Sequence, residues 1–350
     1  MANNTLTASV VAKQALAILE NEFGWMNKLH RAHEEEFSKR VNGYAVGESI
    51  TIRRPADFTV RTGATLSTQD VIEGSVTLTV DQQIGVDFSF TESDLTLKVT
   101  DIAERIMKPA MSNIINYMAN DLLTVMYKGV YNWAGTPGQT INSFSDFSKG
   151  PERLDEMSVP TSDRCALLSP ADHWALIGAA TSLSNTGAEG SAYRNGSLGK
   201  LGGIDTYMSQ IVPTHTNGTA DNTTPLVKGA AQTVTYDTAK ATWTCSLLTD
   251  GWDASSTIKA GTVFTIASVY MVNPKTKATT TILQNFVVTA DVTADGTTTN
   301  TTTLVISPPI ITSGPHQTVN AAPGDDATIT IFGSASTGYK QNLLFHKNTM

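Results

Sequence analysis

The sequence predicts an α+β protein of several domains, and three observations carry that prediction. Residues 101–128 hold one apolar stripe at helical spacing, running from Ile102 to Val125. Residues 44–92 hold two strand-like runs separated by a long polar stretch, the pattern of an extended hairpin. From Asn217 to Ser336 helical periodicity vanishes and Thr becomes abundant, as in an all-β unit of short strands. At 350 residues the chain exceeds one compact core and suits two or three domains.

The first segment, 1–42, reads as an amphipathic arm. Ser9 can cap a helix over 9–38, and Val11, Ala15, Ile18, Leu19, Phe23, Met26, Leu29 and Phe37 recur at three- and four-residue steps. The other face carries Lys13, Glu20, Lys28, Arg31 and Glu34–Glu36. Gly24 costs about 1 kcal/mol relative to Ala in mid-helix, so a bend or break is expected there. Such an arm docks on its own domain or clasps a neighbour, and the sequence favours neither.

Next comes 43–92. Ser49–Arg54 alternates as a strand, and the return runs through Val76, Leu78 and Val80 to Ile84, Val86, Phe88 and Phe90 at period two. A connection as long as 55–74 is uncommon in a compact domain and is usually functional. Arg53, Arg54, Asp57, Arg61, Asp70 and Glu73 give it mixed charge suited to contacts between subunits. The plainer reading is a solvated surface hairpin.

The helix over 101–128 starts with Asp101 and Glu104 in capping-box spacing, and Pro109 should kink it about a third of the way along. Past Gly129 the pattern is mixed. Phe144–Met157 reads as a helix interrupted at Gly150-Pro151, and Cys165–Leu168 as a buried strand. Pro170 opens a helix through Ala180, 182–200 reads as a loop, and Gly202–Ser209 returns as a strand. In the Thr-rich region strands are expected at Thr233–Tyr236, Thr242–Leu247, Val263–Met271, Ile282–Val288, Thr302–Ile306 and Ala327–Phe332. From Gly338 the style of the α/β region resumes, which marks the β unit as an insertion.

Composition narrows the function classes. The 24 basic and 32 acidic residues give a net charge of −8, a poor basis for wrapping DNA on a continuous basic surface. Cys165 and Cys245 lie far apart and read as reduced, buried thiols. The start lacks the basic and apolar regions of a signal peptide, and no run is long enough to span a bilayer. A soluble protein made in a cytoplasm, with no membrane partner, is expected.

No motif with catalytic context emerges. His30-x-x-His33 with Glu34–Glu36 lacks the further ligands a metal site needs, so a solvated helix face is the preferred reading. Ser169, Asp172 and His173 lie close in sequence, but a triad needs spatial convergence and an oxyanion hole. Cys165 paired with His173 is equally weak, because apolar surroundings leave thiols inert. Gly199-x-x-Gly202-Gly203 lacks the strand and helix of a phosphate loop. The expectation is no enzyme, no cofactor and no metal.

The succession of arm, hairpin, long helix, α/β region and inserted β unit resembles that of the P22-type coat proteins. These are a branch of the HK97-like major capsid proteins of tailed bacteriophages. Three phrases share the likeness: Asn4-Thr5-Leu6-Thr7, the segment from Lys259 to Tyr270, and Gln341-Asn342-Leu343-Leu344-Phe345-His346-Lys347. The resemblance implies an N-arm over 1–42, an E-loop over 43–92 lying across a neighbouring subunit, and a spine helix in a peripheral domain over 93–130. It implies an axial domain over 131–216, an accessory β-barrel or Ig-like domain over 217–337, and a return to the core over 338–350.

It further implies self-assembly into hexamers and pentamers of an icosahedral shell around double-stranded DNA, built in the host bacterial cytoplasm with a scaffolding protein and a portal. The DNA would be contacted non-specifically at the inner surface. Arg53, Arg54, Asp57, Arg61, Asp70 and Glu73 of the hairpin and Phe23, Met26, Leu29 and Phe37 of the arm are then the expected subunit contacts. Family members continue well past the position of Met350, so a short member or an incomplete chain is expected. The rival reading is a virion decoration or receptor-binding protein whose Thr-rich β domain recognises a glycan. It leaves arm, hairpin and long helix without a use.

Overall fold

The computed structural model describes residues 13, 15, 24–30, 49–66, 68–87, 106–181, 196, 198–221, 225–295 and 301–349. Two compact units emerge: Met1–Glu48 with Thr79–Thr124 and Lys347–Met350, and Ser49–Leu78 with Val125–His346. Most of the helix expected over 9–38, Phe88, Phe90, the capping pair Asp101 and Glu104, and most of the 182–200 loop lie outside the described residues.

In the first unit Gly24 adopts φ +48° and opens a 3-10 turn over Gly24–Lys28, the break expected at this glycine. The long helix α1 (Lys108–Gly129) belongs to this unit as far as Thr124. Pro109 follows a π-helical turn at Ile106–Met107 that passes directly into the regular helix from Lys108, and the residues 101–105 on which the expected start and kink depend lie outside those described. Ala110 of the expected stripe is buried, but from there on the buried row is one residue round from it. Ile115, Ala119 and Leu123 are buried, whereas Ile114, Met118 and Leu122 are half-buried and Val125 is exposed. Both rows are apolar, and the innermost one carries the small Ala119, which lets neighbours approach most closely.

Among the described residues the second unit contains a six-stranded sheet, a four-stranded sheet, two two-stranded ladders and a hairpin. Strands β1 (Ser49–Arg53) and β2 (Ser75–Thr79) form the hairpin, with β2 ending at the unit's boundary. Helix α2 (Phe144–Glu156) starts at Ser143, whose Oγ accepts from the Asp146 amide at 3.1 Å. It runs unbroken through Gly150-Pro151, where an interruption was expected. Phe147 anchors it to a core with Ala166, Leu168, Leu176 and Ile204, and Gly150 leaves room for Leu344, whose Cδ2 would sit 2.9 Å from any added Cβ.

Strand β3 (Arg164–Leu168), buried along its length, leads through α3 (Pro170–Thr181) towards β4 (Lys200–Leu201) and β5 (Ile204–Met208). β3 and β5 are parallel, as a helix crossover allows. β4 and β5 form a tight hairpin on Gly202 and Gly203, both at positive φ. The last strand, β16 (Leu343–His346), pairs antiparallel with β3 and completes the order β16-β3-β5-β4.

Between these lie β6 (Thr214–Thr216), β7 (Leu226–Val227), β8 (Cys245–Asp250), β9 (Thr257–Ile258) and β10 (Val263–Val272). Then come β11 (Thr279–Val288), β12 (Val292–Thr293), β13 (Thr302–Ser307), β14 (Ile329–Ile331) and β15 (Gly338–Lys340). Six of them form an antiparallel sheet in the order β14-β10-β11-β13-β8-β7. The two end strands also meet: Val227 N–H donates to Ala327 O at 3.0 Å and Ile329 N–H to Pro225 O at 2.9 Å. Among the described residues these bonds join the two ends of the sheet.

Its interior is filled by Phe264, Phe286, Ile266, Leu247, Leu304 and Ile306, none more than 1% exposed. Strand β8 shows the alternation plainly, with Cys245, Leu247 and Thr249 inside and Ser246 and Leu248 outside. Buried Thr249 is satisfied by donating to Thr302 O at 2.8 Å and accepting from Trp252 Nε1 at 2.7 Å. Thr233–Tyr236 is not a strand; a single helical turn occupies Tyr236–Ala239, and Val234 reaches the core from irregular chain. Both cysteines are buried and neither is in a disulfide.

Candidate assembly surface

The hairpin is built to stand out from its unit. Past the β1–β2 ladder, Arg54 N–H donates to Gly74 O at 2.8 Å. Gln69 then replaces the missing ladder: its Oε1 accepts from the Thr59 amide at 2.9 Å and its Nε2 donates to Thr59 O at 2.7 Å. At the tip the Arg61 guanidinium donates to the carbonyls of Gly63 and Thr65, folding the turn over its own charge. This leaves Phe58, Val60, Leu66 and Val71 at 52, 94, 78 and 62% exposure. Isolated exposed apolar residues are ordinary, but four large ones on a single loop mark a surface that gains by being covered.

The hairpin's base is fastened to the Thr-rich region. Arg54 lies with its guanidinium carbon 6.0 Å from the Trp243 ring centroid. Asp57 faces Lys277 at 3.5 Å, and the Lys277 ammonium also donates to Pro315 O. His316 stacks on Tyr236 with ring centroids 3.6 Å apart and meets Trp243 edge-on at 6.3 Å. Gly74 passes so close that an added Cβ would lie 2.8 Å from Lys240 O and 2.9 Å from Tyr236 Oη.

A second joint lies where the Thr-rich region leaves the α/β sheet. β6 and β15 pair antiparallel, with Thr216 opposite Gly338 and Lys340 opposite Thr214. His215 is buried between them and the end of α1: Nδ1 lies 3.4 Å from Tyr127 Oη and Nε2 lies 3.3 Å from Thr262 Oγ1. Burial holds its pKa below the ordinary imidazole value, and nearby Lys128 adds to the shift against weaker opposition from Asn217 and Asp291. Glycines make the joint tight, because a Cβ on Gly218 would lie 1.9 Å from Thr257 O and one on Gly333 2.5 Å from Tyr339. An open cleft of about 400 Å³ beside it is lined by residues including Lys128, Asn217, Lys259 and Asp291.

Six expected contacts thus share the hairpin. Arg53 pairs with Glu73 at 3.4 Å, Arg54 and Asp57 are engaged at the base, Arg61 closes the tip, and Asp70 is exposed. In the arm, Met26 is only 6% exposed, so the chain covers this side chain itself rather than offering it as free surface. Leu29 is half-buried, and Phe23 and Phe37 lie outside the described residues. Sequence reasoning missed Phe58, Val60, Leu66 and Val71 by reading 55–74 as polar. The Asp-Phe-Thr-Val alternation at 57–60 was the available signal. Trp243, Lys277 and His316 had none, being far away along the chain.

The catalytic-looking residues have structural jobs. Ser169 Oγ donates to Asp172 Oδ2 at 2.5 Å and accepts from the Asp172 amide at 3.3 Å, a cap on α3. Asp172 also accepts from Ile141 N–H and Asn342 Nδ2, both at 2.8 Å, and His173 Nε2 turns to Gly196 O at 2.9 Å. No proton path joins the three. Among the described residues no group of three or more His, Cys, Asp or Glu is placed to hold a metal ion, and no helix is long and apolar enough to cross a membrane.

The family model for the P22 coat protein, gene protein 5, matches residues 3–350, and the chain belongs to that family. It is a major capsid protein, a component of the virion that forms the shell of a phage head. No curated protein matches it. Among solved structures, the chain is similar to one from Mycobacterium phage Che8 at 12% identity, covering 88% of this chain and 90% of that one, with a TM-score of 0.43. The CUS-3 coat protein I-domain is 30% identical over 31% of this chain and 94% of its own, with a TM-score of 0.23. A cyanophage P-SCSP1u capsid structure is 12% identical, covering 85% and 86%, with a TM-score of 0.36.

Proposed function

We propose that this coat protein has the HK97-like fold, with 217–337 as an inserted β-barrel accessory domain. Copies pack through heterologous contacts into pentamers and hexamers of an icosahedral shell. Its hairpin is the principal reach from one copy to the next. The single observation that carries this reading is the set of exposed apolar residues on the hairpin, Phe58, Val60, Leu66 and Val71, above a fixed base. A loop of this kind costs solubility in a free subunit and is useful only where a second copy covers it. The mixed charges around it set register rather than bulk affinity.

Assembly in a host cytoplasm with a scaffolding protein and a portal, and non-specific contact with double-stranded DNA inside, follow from membership of a phage coat family. A non-enzymatic role follows from polar groups committed to structure. The decoration and glycan-binding alternative gives the hairpin no work. The test is Val60→Asp with Leu66→Asp, both sites more than three-quarters exposed. The subunit should remain folded, with an unchanged circular dichroism spectrum, while shell yield by negative-stain microscopy falls at least tenfold. Shells at normal yield would remove the hairpin as the principal contact.

A further inference from the structure

We infer that the accessory region positions the hairpin: Trp243 and Lys277 hold the base of the loop so that its apolar tip is presented, already aimed, to the next copy. This inference rests on the reading that the tip docks on a second copy of the chain. Three contacts fasten the base within one compact unit, and an aromatic cluster backs one of them. Arg54 lies over Trp243, Asp57 faces Lys277, His316 and Tyr236 wall the aromatic side, and Gly74 runs against Lys240 O with no space for a side chain. Among the described residues between Asp57 and Gly74 no contact of this kind ties the tip down, and the apolar Phe58, Val60, Leu66 and Val71 stay in water.

That arrangement has a physical consequence. A loop free at its base loses conformational freedom when it docks, and that loss weakens every subunit contact. Fixing the base beforehand removes part of the cost, so the same tip contacts assemble at lower protein concentration. Trp243 and Lys277 are therefore positioning residues that never need to touch the neighbour. A clamp that withheld the loop would have the opposite sign, and releasing it would speed assembly.

The experiment separates these outcomes with Trp243→Ala and, in case loss of that half-buried ring disturbs folding, Lys277→Ala. Amide hydrogen exchange across 54–74 in the free subunit should quicken about three- to tenfold, the size expected for losing one cation–π or one ion-pair contact. The concentration needed for shell formation should rise by a similar factor, exchange in β10 and β11 should stay as in the parent, and Trp243→Phe should restore most of the loss. Unchanged exchange at the hairpin would overturn the inference, because the contacts would not be holding it. Quicker exchange with unchanged or faster assembly would also overturn it. If Val60→Asp with Leu66→Asp blocks shells while the clamp variants assemble normally, only the positioning role fails. If that tip variant assembles normally, the docking reading fails first.

Discussion

Arg53 and Arg54 look equivalent in the sequence, yet the fold gives them different work. Arg53 reaches across the hairpin to Glu73 at 3.4 Å, with 82 and 52% of the two side chains exposed. A pair this exposed is worth under about 1 kcal/mol. Arg54 instead lies over Trp243 at the clamped base. Reversing both charges together would confound a surface contact with the clamp, so the single change Arg53→Glu is the cleaner test. Its melting temperature should stay within about 3 °C of the parent, while assembly weakens through like charge beside Glu73. A large fall in melting temperature would show that Arg53 supports the fold itself. Legibility at this scale was uneven. The charges of the hairpin were visible as a mixed set, but their partners Lys277 and Trp243 were not, because no local pattern encodes contacts between residues some 190 to 220 positions apart.

Among the elements, β3, α3, β5 and the long strands β10, β11 and β13 were legible, since each carries an unbroken apolar run or a clean start signal. α2 was misread at Gly150-Pro151, because tertiary contacts of Phe147 and the room at Gly150 outweigh the local breaking tendency. The joint of β6 and β15 was legible only as a change of composition. Its chemistry is open to titration. His215 has a lowered pKa, so the unfolded chain binds its proton more readily than the folded one. The neutral ring therefore adds stability above the ordinary value of 6.5, and this is lost as pH falls through the lower folded value. His215→Gln should melt with a shallower fall between pH 7 and pH 5 than the parent. Parallel melting curves for the two proteins across that range would show that His215 does not titrate with unfolding.

For the molecule as a whole, a protein that forms a closed shell must make many contacts of moderate strength and still exist as a folded subunit beforehand. The six-stranded sheet with Phe264 and Phe286 at its centre gives the second unit a core of its own. The hairpin then carries apolar surface that this core does not need. Order of elements was the feature most readable in the sequence at this scale, because it survives errors of a few residues in each boundary. The measurement that tests the central claim most directly uses Val60→Cys, at a site 94% exposed, in a chain whose native cysteines are both buried. A thiol-linked photo-crosslinker placed there should join one chain to another in assembled shells and give no such product in free subunits, and soluble maleimide should react with the thiol only before assembly. Shells that form normally with Cys at position 60 still open to maleimide and no chain-to-chain product would contradict it.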